Sequence, residues 1–293
     1  MSQPVFGRLL TAMVTPFDAD GAIDLGQARK LAARLVDVQH NDALVINGTT
    51  GESPTTTDAE KSALLAAVKD EVGDRAMIVA GIGTNDTRHT IELAEQAAAA
   101  GADGLLVVTP YYSKPPQDAV AAHFRAVADA TDLPVMLYDI PHRAGVPIQT
   151  ATFLELAEHP RIVAVKDAKG DLVASAAVIA ATGLHYYSGD DALTLPLLAV
   201  GGVGVVGTST HFTGARAKAM MEKFLAGDVA GAIADNAALL PVFTGVFATQ
   251  GCMLVKAGLA ARGFAPAVLR APLLAASPEQ AASFVAVLDA AGL

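Results

Sequence analysis

Ile162-Val163-Ala164-Val165-Lys166-Asp167 is a short, unbroken apolar run that stops at a lysine. Its aliphatic and β-branched residues fall on consecutive rather than alternate positions, the pattern of a strand buried on both faces, as in parallel sheets. Runs of the same kind recur on either side of it: Leu9–Thr15, Ala43–Asn47, Ala76–Gly81, Gly104–Thr109, Pro134–Tyr138, Leu184–Ser188 and Gly202–Gly207. Between them lie stretches with helical periodicity. Asp24–Gln39 gathers Leu25, Ala28, Leu31, Ala32 and Leu35 on one side. Thr57–Glu71 opens with a capping pattern of Thr57, Asp58 and Glu60 before burying Leu64, Leu65 and Val68. Thr87–Ala100, Gln117–Ala130, Thr150–His159, Asp171–Ala181 and Gly214–Leu225 repeat the theme, and Ala192–Val200 is a shorter version. Eight strand–helix alternations within residues 1–227 predict a TIM (β/α)8 barrel, with an open doubly wound sheet as the alternative. Beyond residue 227, Asp228–Leu240, Ala248–Ala261 and Pro278–Ala291 look helical with no strand between them, which predicts a C-terminal helical appendage over 228–293.

Composition narrows the function. The chain has 293 residues, with 20 basic against 30 acidic side chains and a net charge of −10. That balance disfavours nucleic acid and anionic membranes, both of which select basic faces. An apolar share of 52% against 17% charged excludes disorder. The single cysteine, Cys252, excludes a disulfide framework or a thiolate-rich metal site, and its apolar helical surroundings read as core. The apolar stretch Leu9–Val14 is too short to span a membrane and runs into Thr15-Pro16-Phe17-Asp18 without a small-residue cleavage site. The expectation is a soluble, cytoplasmic protein with no nucleic-acid or membrane partner.

In a parallel barrel, polar groups at strand C-termini face the site. Those ends are Asn47-Gly48-Thr49-Thr50-Gly51-Glu52, Thr109-Pro110-Tyr111-Tyr112, Tyr138-Asp139-Ile140-Pro141-His142-Arg143, Lys166-Asp167 and Ser188-Gly189-Asp190-Asp191. Lys166 is the sharpest signal. Desolvation at the end of an apolar strand disfavours the ammonium, and a neutral amine there can attack a carbonyl to form a Schiff base. A lysine paired with Asp139, Asp167 or Asp190 explains the same position, and the sequence leaves both readings open. Tyr138 and Tyr112 are candidate proton relays or simply rim aromatics. The Thr49-Thr50 turn offers hydroxyls and backbone N–H groups to a carboxylate, and Arg143 suits a second one. Gly201-Gly202-Val203-Gly204 precedes the last strand and reads as a tight turn rather than a phosphate loop. Asp190 and Asp191 lack any metal-ligand spacing, so no metal is expected and loop-holding hydrogen bonds are the better reading.

Ala43-Leu44-Val45-Ile46-Asn47-Gly48-Thr49-Thr50-Gly51-Glu52-Ser53 followed by Glu60 resembles the first signature of the dihydrodipicolinate synthase/N-acetylneuraminate lyase family. Tyr138 to Gly145, Val165-Lys166-Asp167-Ala168 and Ser188-Gly189-Asp190-Asp191 resemble its further blocks in the right order, so the likeness covers essentially the whole chain. The resemblance implies a TIM barrel that condenses pyruvate through a lysine imine, with no cofactor. It makes Lys166 the nucleophile and Tyr138 a proton shuttle linked through Thr49 to Tyr112, which reaches in from a neighbouring subunit. Thr49 and Thr50 hold the pyruvate carboxylate, and Gly189 and Val206 line the pocket through their backbones. A homo-oligomer follows, usually a tetramer built as a dimer of dimers.

Arg143 and the Tyr111-Tyr112 pair resemble the synthase branch, which joins pyruvate to L-aspartate 4-semialdehyde on the way to diaminopimelate and lysine. The alternative within the family is a pyruvate-dependent aldolase acting on N-acetylneuraminate or a 2-keto-3-deoxy sugar acid. Outside it stand a metal-dependent barrel hydrolase and a silent binding protein. His142 and Asp139 depart from the family's usual small residue and asparagine. The resemblance also implies a regulatory pocket of Ser53, Pro54, Asp58, Lys61, Asn85, His89 and Tyr111. Lysine-sensitive members place histidine at the position of Lys61 and glutamate at that of His89, so weak or absent inhibition by lysine is expected.

Overall fold

The computed structural model describes residues 4–293. Among them, eight parallel strands close into a barrel in sequence order: β1 (Leu9–Ala12), β2 (Ala43–Ile46), β3 (Met77–Gly81), β4 (Gly104–Val108), β5 (Val135–Asp139), β6 (Ile162–Asp167), β7 (His185–Ser188) and β8 (Gly204–Gly207). Closure comes from β1, which pairs with β2 through Leu10 and Ala43 and with β8 through Leu10 and Val206. The open-sheet alternative is thereby excluded.

The helices are α1 (Leu25–Asp37), α2 (Asp58–Val72), α3 (Thr87–Ala99), α4 (Gln117–Asp129), α5 (Pro141–Ala144), α6 (Thr150–Leu156), α7 (Leu172–Ala181), α8 (Thr194–Ala199), α9 (Thr210–Leu225), α10 (Val229–Gly245), α11 (Gly251–Ala261) and α12 (Pro278–Ala290). Asp24, Asp171 and Asp228 cap α1, α7 and α10 through their side chains, and Thr57 and Glu60 complete a reciprocal capping box on α2.

Alternation along the strands sorts two layers of core. Leu10, Val45, Val79, Leu106, Met136, Ala164, Tyr187 and Val206 fill the barrel interior. Leu44, Ile78, Leu105, Leu137, Val165 and Tyr186 face outward into the helices. Phe6 plugs the floor against Gly104, where any Cβ would come within 2.4 Å of its ring, and Tyr187 Oη donates to Gly7 O at 2.9 Å.

Several helix boundaries differ from expectation, three of them for reasons the packing shows. Helix α9 starts at Thr210, ahead of Gly214, because the residues from Thr210 to Gly214 are all buried and packing outweighs the glycine's low propensity. Helix α10 runs through Pro241 to Gly245 instead of stopping at Leu240. Pro241 removes one intrahelical bond, but Val242 and Phe243 beyond it are buried and hold the last turn. Helix α11 begins at Gly251 rather than Ala248, where the Gln250 side chain accepts from Cys252 N. The C-terminal helices pack on the barrel: Phe284 of α12 meets Phe212 of α9 edge-on at 5.8 Å. Among the described residues, no helix is long and apolar enough to cross a membrane.

Candidate active site

Parallel register sets Tyr138 of β5 directly beside Lys166 of β6, and Lys166 beside Tyr187 of β7. Lys166 is 5% exposed, and its Nζ lies 4.3 Å from the centre of the Tyr138 ring. The three carboxylates offered as its partners by the sequence are engaged elsewhere. Asp139 faces Lys169 Nζ at 3.2 Å, Asp167 accepts from Lys169 N and Ser175 Oγ, and Asp190 accepts from Ala192 N at 3.0 Å. Alternation explains this, because Asp139 and Asp167 follow the inward residues and therefore point out of the barrel. The paired-lysine reading falls. Burial pushes the Lys166 amine down to about 8, with Asp191 resisting and the Arg143 charge assisting.

The turn after β2 wraps Thr49 and Thr50 at the mouth. Gly51 N donates to Gly48 O at 3.0 Å and Glu52 N to Thr49 O at 3.1 Å, while Thr15 Oγ1 donates to Gly51 O at 2.6 Å. Glycine suits position 51, since a Cβ there would stand a tight 3.1 Å from Met13 O. Burial pushes the Tyr138 phenol up to about 12, with the Arg143 charge and the Thr49 hydroxyl resisting.

Lys166, Tyr138, Thr49, Thr50, Arg143 and Gly189 share one cavity of about 460 Å³. A Cβ on Gly189 would come within 3.1 Å of Lys166 Cγ and 3.0 Å of Ala168 Cβ, so a larger residue there would press on the lysine side chain. Val206 lies apart, wholly buried in the barrel interior, and Thr208, two residues further on, takes its place on the wall. Arg143 and His142 are exposed on α5, at the rim.

A second cavity of about 970 Å³ shares Thr49, Tyr138 and Arg143 with the first and extends to Ser53, Lys61, Asn85, His89, Tyr111 and Tyr112. Tyr112 is 88% exposed and held at φ +73°, with its N–H on Ala144 O at 3.2 Å. In the outer part, Asp58 Oδ2 bonds His89 Nε2 at 2.9 Å, and Asp58 Oδ1 stands 3.9 Å from Lys61 Nζ, an amine that burial pushes down.

Asp191 is 1% exposed, and its carboxylate accepts from Thr208 N, Ser209 N and Ser209 Oγ, which makes it the anchor of the loop after β8. Several wall residues escaped sequence reasoning. Phe247 and Gln250 from the α10–α11 connection, and Cys252 at the start of α11, reach the lysine cavity. Cys252 is buried as expected, and burial pushes its thiol up to about 12. Glu52, Lys256, Arg270 and Glu60 form ion pairs behind the Thr49-Thr50 turn. Glu52 was visible only as part of the turn motif, and nothing local marks Lys256 or Arg270.

Residues 5–291 match the model of the dihydrodipicolinate synthetase family. The chain belongs to that family. Among family members, a 4-hydroxy-tetrahydrodipicolinate synthase of Cutibacterium acnes is 62% identical over 289 residues, covering 99% of both chains. The protein of the same name from Acidothermus cellulolyticus is 64% identical over 287 residues, covering 98% of this chain and 93% of its own. The dihydrodipicolinate synthase of Cyanidioschyzon merolae, solved with lysine bound, superposes with a TM-score of 0.96 at 41% identity, over 99% of this chain and 100% of its own.

Proposed function

We propose that this chain is a lyase that condenses pyruvate with L-aspartate 4-semialdehyde to 4-hydroxy-tetrahydrodipicolinate, the product for which its close relatives are named, in diaminopimelate and lysine biosynthesis. One observation carries the mechanism: Lys166 is a buried amine, unpaired among the described residues and lowered to about 8, set against a phenol at the barrel mouth. The neutral amine adds to the ketone carbon of pyruvate, and loss of water gives the imine. A methyl proton then leaves to form an enamine, whose terminal carbon attacks the aldehyde carbon of the second substrate. The amino group of the adduct displaces Lys166 from the imine carbon, which closes the ring and returns the free amine.

Tyr138, kept protonated by its burial, gives and recovers protons through Thr49 and Tyr112. The Thr49-Thr50 turn takes the pyruvate carboxylate, Gly189 leaves room beside the imine, and Arg143 takes the carboxylate of the semialdehyde. Val206 supports the pocket from the layer beneath. The imine itself stores the electron pair, so the cycle as written calls on neither cofactor nor metal. Arg143 favours the synthase over a sugar-acid aldolase. Tyr112, exposed and held in a left-handed conformation, supports a homo-oligomer in which it serves a neighbouring copy. A cytoplasmic tetramer built from paired dimers is the assembly that this reading implies.

Borohydride added with pyruvate is expected to inactivate the protein irreversibly and to place the reduced adduct on Lys166, read by peptide mass mapping. Labelling at Lys114 or Lys169, or none, removes the mechanism.

A further inference from the structure

A buried charge network outside the reacting groups joins the C-terminal segment to the turn that carries Thr49 and Thr50. Glu52 sits two residues beyond Thr50, is 2% exposed and holds φ +58°, a left-handed conformation that a residue with a long side chain keeps only when its surroundings impose it. Its carboxylate accepts from Lys256 Nζ on α11 and from Arg270 N at 3.0 Å. Lys256 is 4% exposed and also donates to Val268 O at 2.7 Å. The Arg270 guanidinium donates to Gly21 O and Thr55 O, both at 2.8 Å, and grips Glu60 through both terminal nitrogens. Both cations rest on one ring: Lys256 Nζ and Arg270 Cζ lie 4.2 and 4.5 Å from the centre of Phe17.

Stability does not account for such a device. A buried ion pair gains little over a well-packed apolar pair, because desolvation offsets its attraction. Its distinctive property is directional. Two fixed donors leave the Glu52 carboxylate one place to sit, and a carboxylate so held forces the backbone of the turn. Arg270 then ties that turn to the β1–α1 loop and to the start of α2.

We propose that Lys256 and Arg270 are positioning residues for pyruvate. They fix the Glu52 end of the turn and thereby hold the Thr49 and Thr50 donors at the height of Lys166. The inference rests on the pyruvate reading above and assigns the C-terminal segment a part in recognising the first substrate, not the second.

The experiment is borohydride trapping on the full chain at graded pyruvate concentrations, together with KM for each substrate. In Lys256→Met the pyruvate concentration for half-maximal trapping should rise about tenfold or more, as a turn displaced by a fraction of an ångström demands, while KM for the semialdehyde stays within about twofold. Trapping at saturating pyruvate should still reach Lys166 fully. Because Lys256→Met strands a buried carboxylate, Arg270→Met is the second variant. It keeps the Glu52–Lys256 pair and the backbone donor, loosens only the loops, and should shift half-trapping about threefold in the same direction. Half-trapping within about twofold of the unaltered protein, in Lys256→Met or, where that does not fold, in Arg270→Met, overturns the inference, and so does an equal rise in both KM values. Failure of the unaltered protein to trap pyruvate overturns the parent reading instead, which keeps the two failures distinct.

Discussion

An amine enclosed by a phenol ring and apolar strand residues titrates low because water no longer stabilises its charge, and Lys166 is that amine. Held at about 8, it is roughly a tenth neutral at pH 7 and half neutral at pH 8. Capture of pyruvate needs the neutral form. The rate of imine formation at low pyruvate should therefore climb with pH up to about 8 and then level, and a flat profile from pH 6 to about 9 would contradict the burial argument. The same shift bears on stability. The folded value lies below the unfolded one, so the unfolded chain binds the extra proton between about 8 and 10.5, and this lysine's penalty fades as pH rises through that window. At pH 7 the penalty is roughly 3 kcal/mol. Lys166→Met, near in volume and uncharged, should abolish trapping yet raise the melting temperature at neutral pH; a lower melting temperature at pH 7 would show that the ammonium is stabilised where it stands. The candidate nucleophile, Lys166, was legible because it ends an apolar run. That no carboxylate partners it was not, since whether Asp139 points in or out depends on strand phase.

At the scale of elements, β5 turns into the four-residue α5 between Ile140 and Gly145, which takes φ +84° to stop it. This corner puts Arg143, exposed, at the rim of the cavity that holds Lys166. Arg143→Ala should leave pyruvate trapping intact while turnover with the semialdehyde falls about tenfold to several-thousandfold, the loss typical of one partner of a charge pair that substrate has covered. An unchanged rate would return the arginine to a structural role and reopen the aldolase alternative. The eight strands could be read because most are continuous apolar runs bounded by turns. Helix α5 and the short 3-10 turn at Ser53–Thr55 could not, being too short to show a period. Helix α10 runs past Leu240 because the burial of Val242 and Phe243, a tertiary effect, outweighs the local cost of Pro241.

Across the whole molecule, the large outer cavity carries a charge pattern hostile to a cationic amino acid. Asp58 is already bonded to His89 and close to Lys61, so it has little left to offer an incoming ammonium, and Lys61 repels one. Turnover in several millimolar lysine is expected to remain near its uninhibited rate. Half-inhibition below about 1 mM, roughly −4 kcal/mol of binding, would mean that the ligand displaces His89 from Asp58. The residues of this cavity were readable through the family motif. The contacts of Glu52 were not, because its partners stand 204 and 218 positions away, and no periodicity or spacing links stretches so far apart.

That separation has a consequence in time. During synthesis all eight strands, and with them Lys166, Tyr138 and Arg143, have been made once β8 is complete at Gly207. Lys256 and Arg270 have yet to be added. A nascent chain at that stage carries the side chains proposed to react but not the anchors of the Thr49-Thr50 turn. On the positioning role proposed for those anchors, its lysine does not capture 2-oxoacids efficiently until synthesis has passed Arg270.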